Sequence, residues 1–150
     1  MTACPICEKH RGEGPLVAPV LHRDSLVVAS HAPVLEQDAY LGYIYIETCR
    51  HAAGLHDLTN AEAARLGVVV TALARAVMEE TDAEVVYSWV YNHTPHHHVH
   101  VVPRHPDTPS EYWLNAVVEW PDAPRGDSET VEALSERIRA RLDVPELPAA

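Results

Sequence analysis

The stretch His96-His97-His98-Val99-His100-Val101-Val102-Pro103-Arg104 decides how this chain is read. Successive side chains on a strand point to opposite faces, so a strand over His97 to Val102 sets His96, His98 and His100 side by side on one face. The run is internal and interleaved with valine, unlike an expression tag. A neutral imidazole, with an ordinary pKa of about 6.5, is a nucleophile near neutral pH, and phosphoryl and nucleotidyl groups are among its usual electrophiles. Imidazoles on the same face can hydrogen-bond nonbridging phosphate oxygens or protonate a leaving group. The rival occupant is a transition metal, since clustered imidazoles suit Zn, Ni and Cu; the chain would then be a non-catalytic metal- or nucleotide-binding module.

Working outward, Leu26 to Ala29, Tyr43 to Glu47 and Val85 to Tyr91 also read as strands from their β-branched and aromatic content. The loop Asn92-His93-Thr94-Pro95 is short enough that the strands flanking it should pair antiparallel. Thr59-Asn60-Ala61-Glu62 is a capping box, and Leu66, Val69, Val70, Leu73 and Val77 continue an apolar helical stripe to about Glu80. After a Pro-rich stretch, Asp127 or Ser128 can cap a last helix carrying Val131, Leu134, Ile138 and Leu142, ended by Pro145 and Pro148. Glu129, Glu132 and Glu136 form its solvated face. Trp89, Trp113 and Trp120 read as core or interface, Cys49 as a buried thiol, and His10, His22, His31, His56 and His105 as surface residues.

The 150 residues suit one domain with a real core. Eleven Lys and Arg against 22 Asp and Glu give a formal charge of −11, which opposes nucleic-acid backbones and anionic membranes but leaves room for a small phosphorylated ligand. No apolar run approaches the ~20 residues of a membrane span, and the N-terminus lacks a signal pattern, so a cytoplasmic location is expected. Cys4-Pro5-Ile6-Cys7 is a CxxC that can grip one Zn²⁺, with the remaining ligands supplied from elsewhere; by itself it reads equally as a redox pair or two incidental thiols.

His96, His98, His100, Val101, Val102, Pro103 and Arg104 together resemble the signature of the histidine-triad superfamily, in which three histidines alternate with hydrophobic residues. The order of the chain agrees from Cys4 to Arg104: an N-terminal CxxC, a strand ending in Arg50-His51, Leu58-Thr59 opening a long helix, a strand, then the triad. Residues 105–150 read as a C-terminal extension. The resemblance implies an α+β, HIT-like fold: an antiparallel sheet of about five strands, one long helix and a C-terminal helix, in a single domain that pairs into a homodimer. It implies cleavage or transfer of nucleotides at an α-phosphate through a covalent nucleotidyl-histidine, with His98 as nucleophile and His100 bonding the phosphate or leaving group. By likeness to its zinc-bearing members and to galactose-1-phosphate uridylyltransferases, it implies a structural zinc on Cys4, Cys7, His51 and His96. Asn92, His93, Tyr43 and Ser30 occupy the places where substrate contacts are expected. Tyr43 follows Gly42 where the family commonly has Gly-His, His97 fills a usually hydrophobic place, and Asn92-His93 stand for the usual Gly-Gln before the triad. These departures raise a second reading, an enzyme of this fold turned to a specialised small molecule.

Overall fold

A computed structural model describes residues 3–147; Pro148 lies outside them. Five strands form one antiparallel sheet in the order β1-β2-β4-β6-β5. They are β1 (Val20–Arg23), β2 (Val27–His31), β4 (Ile44–Thr48), β5 (Val85–Trp89) and β6 (His98–Arg104), while a two-residue strand β3 (Ala39–Tyr40) pairs apart from them with β7 (Arg125–Gly126). The α+β architecture is therefore the one expected, with boundaries moved by at most two residues and with β1, β3 and β7 added. Val20–Arg23 carries His22 and Arg23 among its four residues, too short and polar a run to stand out as a strand.

The capping box forms as read: Thr59 Oγ1 accepts from Glu62 N–H at 3.1 Å and Glu62 Oε2 accepts from Thr59 N–H at 2.9 Å. It opens α2 (Asn60–Thr81), whose stripe Leu66, Val69, Leu73 and Val77 is buried against one face of the sheet. Asp127 caps α3 (Ser128–Arg141) by accepting from Thr130 N–H at 2.9 Å, and Leu134 and Ile138 close the same core. Val27, Ala29, Ile44, Ile46, Val99 and Val101 are the sheet's contribution to that core. By alternation, Tyr45, Glu47, His98 and His100 stand on the opposite face, and the β4–β6 register sets Glu47 against His98 and Tyr45 against His100.

Pro103 sits inside β6 because β4 has ended by then: Ile44, its first residue, pairs with Val101. A missing N–H at Pro103 breaks no ladder bond on that side. The freed Pro103 carbonyl instead accepts from Tyr40 Oη–H at 2.6 Å.

Several histidines depart from the surface placement expected of them. His31 is fully buried: its Nδ1–H donates to Ala32 O at 2.8 Å and its Nε2 accepts from Gly42 N–H at 2.9 Å. His105 is buried and donates to Leu41 O at 2.9 Å. His10 and His22 are half-buried on carboxylates, Glu47 and Asp24 respectively, each at 2.8 Å. Only His56 among the five is exposed. Scattered positions gave no periodic signal, and what fixes these rings is a partner distant in sequence. No helix among the described residues is long and apolar enough to cross a membrane.

Candidate functional site

Cys4-Pro5-Ile6-Cys7 builds the first turn of a short helix, α1 (Pro5–His10), that the sequence reading did not foresee. Proline fits the first helical position, where no N–H is needed, and Cys4 Sγ caps the helix by accepting from Cys7 N–H at 3.5 Å. Both thiols thus lie on one end of the helix. His51 is brought to them by the turn after β4, where Arg50 is fastened to the capping box through Glu62 at 2.9 and 3.0 Å. The Arg50 hydrogen bond holds the Glu62 carboxyl down at about 2, so this tie stays charged at neutral pH.

His96 differs from the strand reading. It precedes β6 instead of sharing its face, and its N–H bonds Thr94 O at 2.7 Å. Its ring turns away from His98 and His100 toward the cysteines, with Nδ1 at 3.5 Å from Cys4 Sγ and 3.4 Å from Cys7 Sγ, while His51 Nδ1 is 3.4 Å from Cys7 Sγ. The four donor atoms lie within 4.8 Å of one another. A tetrahedral zinc with bonds of about 2.3 Å to sulfur and 2.0–2.1 Å to nitrogen separates S from N by about 3.5 Å, which matches these spacings. His96 Nε2–H donates to Thr48 O at 2.7 Å, so Nδ1 carries the lone pair and the ring is fixed as a ligand's would be. Burial first, then the adjacent Cys4, push the Cys7 thiol up to about 11. The donor set fits zinc.

His98 begins β6 and is buried. Its Nδ1–H donates to the His96 carbonyl at 2.7 Å, which leaves the lone pair on Nε2. Burial lowers its pKa, keeping the ring neutral. The ring lines a cavity of about 850 Å³ together with Tyr43, Tyr45, Glu47 and His93. His93 stands edge-on to His98 with ring centroids 4.9 Å apart, and one nitrogen from each of His93, His98 and His100 falls within 4.8 Å of the others. His100 is enclosed by aromatic rings: Trp89 stacks on it at 6.1 Å, Tyr45 meets it edge-on at 5.0 Å, and Tyr43 Oη lies 2.6 Å from its Nδ1. Burial first, then His98 and His93, push its pKa down to about 4.

Tyr43 and His93 therefore stand in the site as read, whereas two other candidates do not line this cavity. Ser30 is buried beside a separate cavity of about 290 Å³, and its Oγ has no partner among the described residues. Asn92 carries its side chain against Gly54, where a Cβ would lie 3.2 Å from the amide nitrogen. Lys9, Tyr45, Glu47, Trp89 and Arg125 are site residues that the sequence reading missed. Glu47 is 2% exposed; burial would raise its pKa, but His10 at 2.8 Å and Lys9 at 2.6 Å outweigh that and lower it. An acid in the middle of the apolar strand Ile44–Thr48 was the available signal, because a buried carboxylate requires such partners. Arg125 comes from the C-terminal extension, and its guanidinium lies over Tyr40 at 6.0 Å.

No family model and no curated protein matches this sequence. Solved structures do. A HIT-like protein involved in cell-cycle regulation from Bartonella henselae superposes with a TM-score of 0.70 at 18% identity over 95% of this chain and 98% of its own. A hypothetical histidine triad nucleotide-binding protein from Sulfolobus tokodaii gives 0.67 at 16% identity, over 92% and 91%. A Zn-bound histidine triad family protein from Mycobacterium smegmatis gives 0.64 at 21% identity, over 93% and 92%. The chain has the fold of the histidine-triad proteins.

Proposed function

We propose that this protein is a histidine-triad nucleotidyl hydrolase or nucleotidyltransferase in which His98 attacks an α-phosphate. The observation that carries the reading is the His98 Nδ1–H bond to the His96 carbonyl, which commits Nε2 to the role of nucleophile at the wall of the cavity. The Nε2 lone pair forms an N–P bond as the bond from phosphorus to the leaving group breaks. The leaving group departs with that electron pair and takes a proton from water. Water or an acceptor hydroxyl then adds to phosphorus, its proton passes to solvent, and the broken N–P bond returns His98 to its neutral form. His93 lines the cavity, and His100 lies beside it with a nitrogen within 4.8 Å of one on His98, so both are placed to hydrogen-bond oxygens of a phosphate attacked there; Lys9 and Arg125 add positive charge along the same cavity.

Cys4, Cys7, His51 and His96 would hold zinc, and four protein ligands make it a structural cross-link between α1 and the strand of the nucleophile, with no open position for water. The resemblance also implies a homodimer, in keeping with the edge position of the half-buried strand β5.

A second reading, an enzyme of this fold acting on a specialised small molecule, is favoured by the end of β2. An acidic or Asn residue that would bind ribose is expected in this region by resemblance, yet Ser30-His31 stand there. His31 is sealed in the core with both nitrogens bonded, and Glu36, Gln37 and Asp38 enter the cavity from the following loop instead.

Intact-protein mass spectrometry after incubation with nucleoside phosphoramidates, dinucleoside polyphosphates and sugar nucleotides tests the first reading. A nucleotide-sized adduct on the wild type, absent from His98→Ala, is expected; full turnover by His98→Ala would sink it, and turnover confined to a non-nucleotide compound would select the second. Metal analysis should give about one zinc per chain, lost in Cys7→Ser and kept in His98→Ala. Two ions per chain, one lost with His98, would instead mark a metal-binding module.

A further inference from the structure

We propose that Tyr43 is a positioning residue that locks His100 as the tautomer protonated on Nε2, making His100 a fixed hydrogen-bond donor to an anionic phosphoryl oxygen of the substrate. The proposal rests on the nucleotidyl-transfer reading for its substrate but not for its tautomer.

Tyr43 Oη and His100 Nδ1 are 2.6 Å apart, a short contact, and the Tyr45 hydroxyl and the Trp89 side chain lie beside the same hydroxyl. Of the two ways to share a proton across this contact, the phenol is the more acidic donor, with an ordinary pKa of about 10, and imidazole nitrogen is the better acceptor. The phenol therefore donates, Nδ1 accepts, and the ring hydrogen resides on Nε2. Burial raises the Tyr43 pKa further, so the phenol keeps its proton.

His100 Nε2 is buried and has no partner among the described residues. A buried N–H left without an acceptor is costly, and such atoms in folded proteins call for an explanation. The ring cannot turn freely to solvent, because His100 is 3% exposed and packed between Trp89 and Tyr45. Its centroid is 5.0 Å from that of His98 and 6.1 Å from that of His93. An oxygen of a phosphoryl group under attack by His98 would sit in that cluster and satisfy the orphaned donor. With Nδ1 taken and Nε2 protonated, His100 has no lone pair to offer, so it acts as a donor and not as a base.

The two nitrogens of one histidine thus face different tasks. His98 has Nδ1–H engaged by a carbonyl and presents a lone pair; His100 has Nδ1 engaged by a hydroxyl and presents a proton. Opposite tautomers on neighbouring rings of β6 give a nucleophile and a donor from the same residue type. The sequence feature is Tyr43 in the place where the family commonly has histidine.

Long-range ¹⁵N–¹H NMR of the imidazole nitrogens in the metal-loaded wild type, without substrate, reads the tautomer directly. The expected result is an acceptor-type Nδ1 and a protonated Nε2 for His100, with this fixed pattern lost in Tyr43→Phe, which keeps the ring and its packing. A protonated Nδ1 in the wild type, or an identical pattern in both proteins, overturns the proposal. For the donor role, the rate of His98 labelling by adenosine 5′-phosphoramidate should fall about tenfold in Tyr43→Phe, with KM changed by less than about twofold. Unchanged labelling in a variant that has lost the tautomer overturns that role. If the wild type itself is not labelled by any member of the nucleotide panel, the nucleotidyl-transfer reading fails while the tautomer result stands by itself.

Discussion

Replacing Glu47 with leucine tests how α1 is held to the sheet. Glu47 is 2% exposed and accepts from Lys9 at 2.6 Å and His10 at 2.8 Å, both on α1, so the variant leaves the Lys9 ammonium facing an apolar wall at 9% exposure. Removing one partner of a buried pair costs about 3–5 kcal/mol, because the remaining charge has lost water and gained nothing. For a chain of this size each kcal/mol corresponds to about 2–4 °C, which puts the drop in Tm at roughly 6–20 °C. α1 has only six residues, so Lys9 can escape by lifting the helix off the sheet, and the cost cannot exceed what docks α1. The paired variant Lys9→Met/Glu47→Leu separates the two contributions: an apolar pair of similar volume should regain most of the lost stability. Thermal unfolding of the single and paired variants, with hydrogen exchange across Pro5–His10, is the assay. A single variant within about 2 °C of the wild type, or a paired variant no more stable than the single one, would refute the reasoning.

Gly42 has φ +84°, and a Cβ there would meet Pro103 Cγ at 2.9 Å and Thr81 Cγ2 at 3.1 Å, so Gly42→Ala should cost about 2–4 kcal/mol from left-handed strain and overpacking together. Chemical denaturation reads it, and a loss under about 1 kcal/mol would contradict the geometry. His31 and His105 both have pKa values lowered by burial, so the unfolded chain takes up protons first as pH falls. Their contribution is complete above the unfolded pKa of about 6.5 and is lost below it, each by up to about 1.4 kcal/mol per pH unit until its folded pKa is reached. Unfolding free energies at pH 8, 6 and 5 should show this decline, and His105→Asn should flatten it; a pH-independent stability would refute it.

The sheet, the long helix and the histidine strand were legible because each is written in a local period or spacing. Alternation marks the strand of His98 and His100, and Thr59 with Glu62 marks the start of α2. The CxxC marked the thiols, although α1 itself escaped, since six residues are too few to show a helical period. What stayed hidden was set by long-range partners: His31 against Gly42, Glu47 against Lys9, and Arg125 reaching the cavity from a segment with no motif. For His96 the strand pattern and the resemblance pointed to different places, the triad face and the zinc cluster. Alternation assigns it to the face of His98, but the chain has not yet entered β6, and two cysteines from the other end of the sequence decide where its ring turns.

The pairing of β4 with β6 sets Glu47 against His98 and Tyr45 against His100, and residues 49–97, including all of α2, lie between these strands in the chain. Closing so long a segment is slow compared with forming a helix, so α2 can form while the two halves of the cavity are still apart. A newly synthesised or refolding chain would therefore regain its helical circular dichroism before its cavity is complete, and Tyr43 would reach His100 only with that late closure. The candidate site of this protein is a property of the finished sheet.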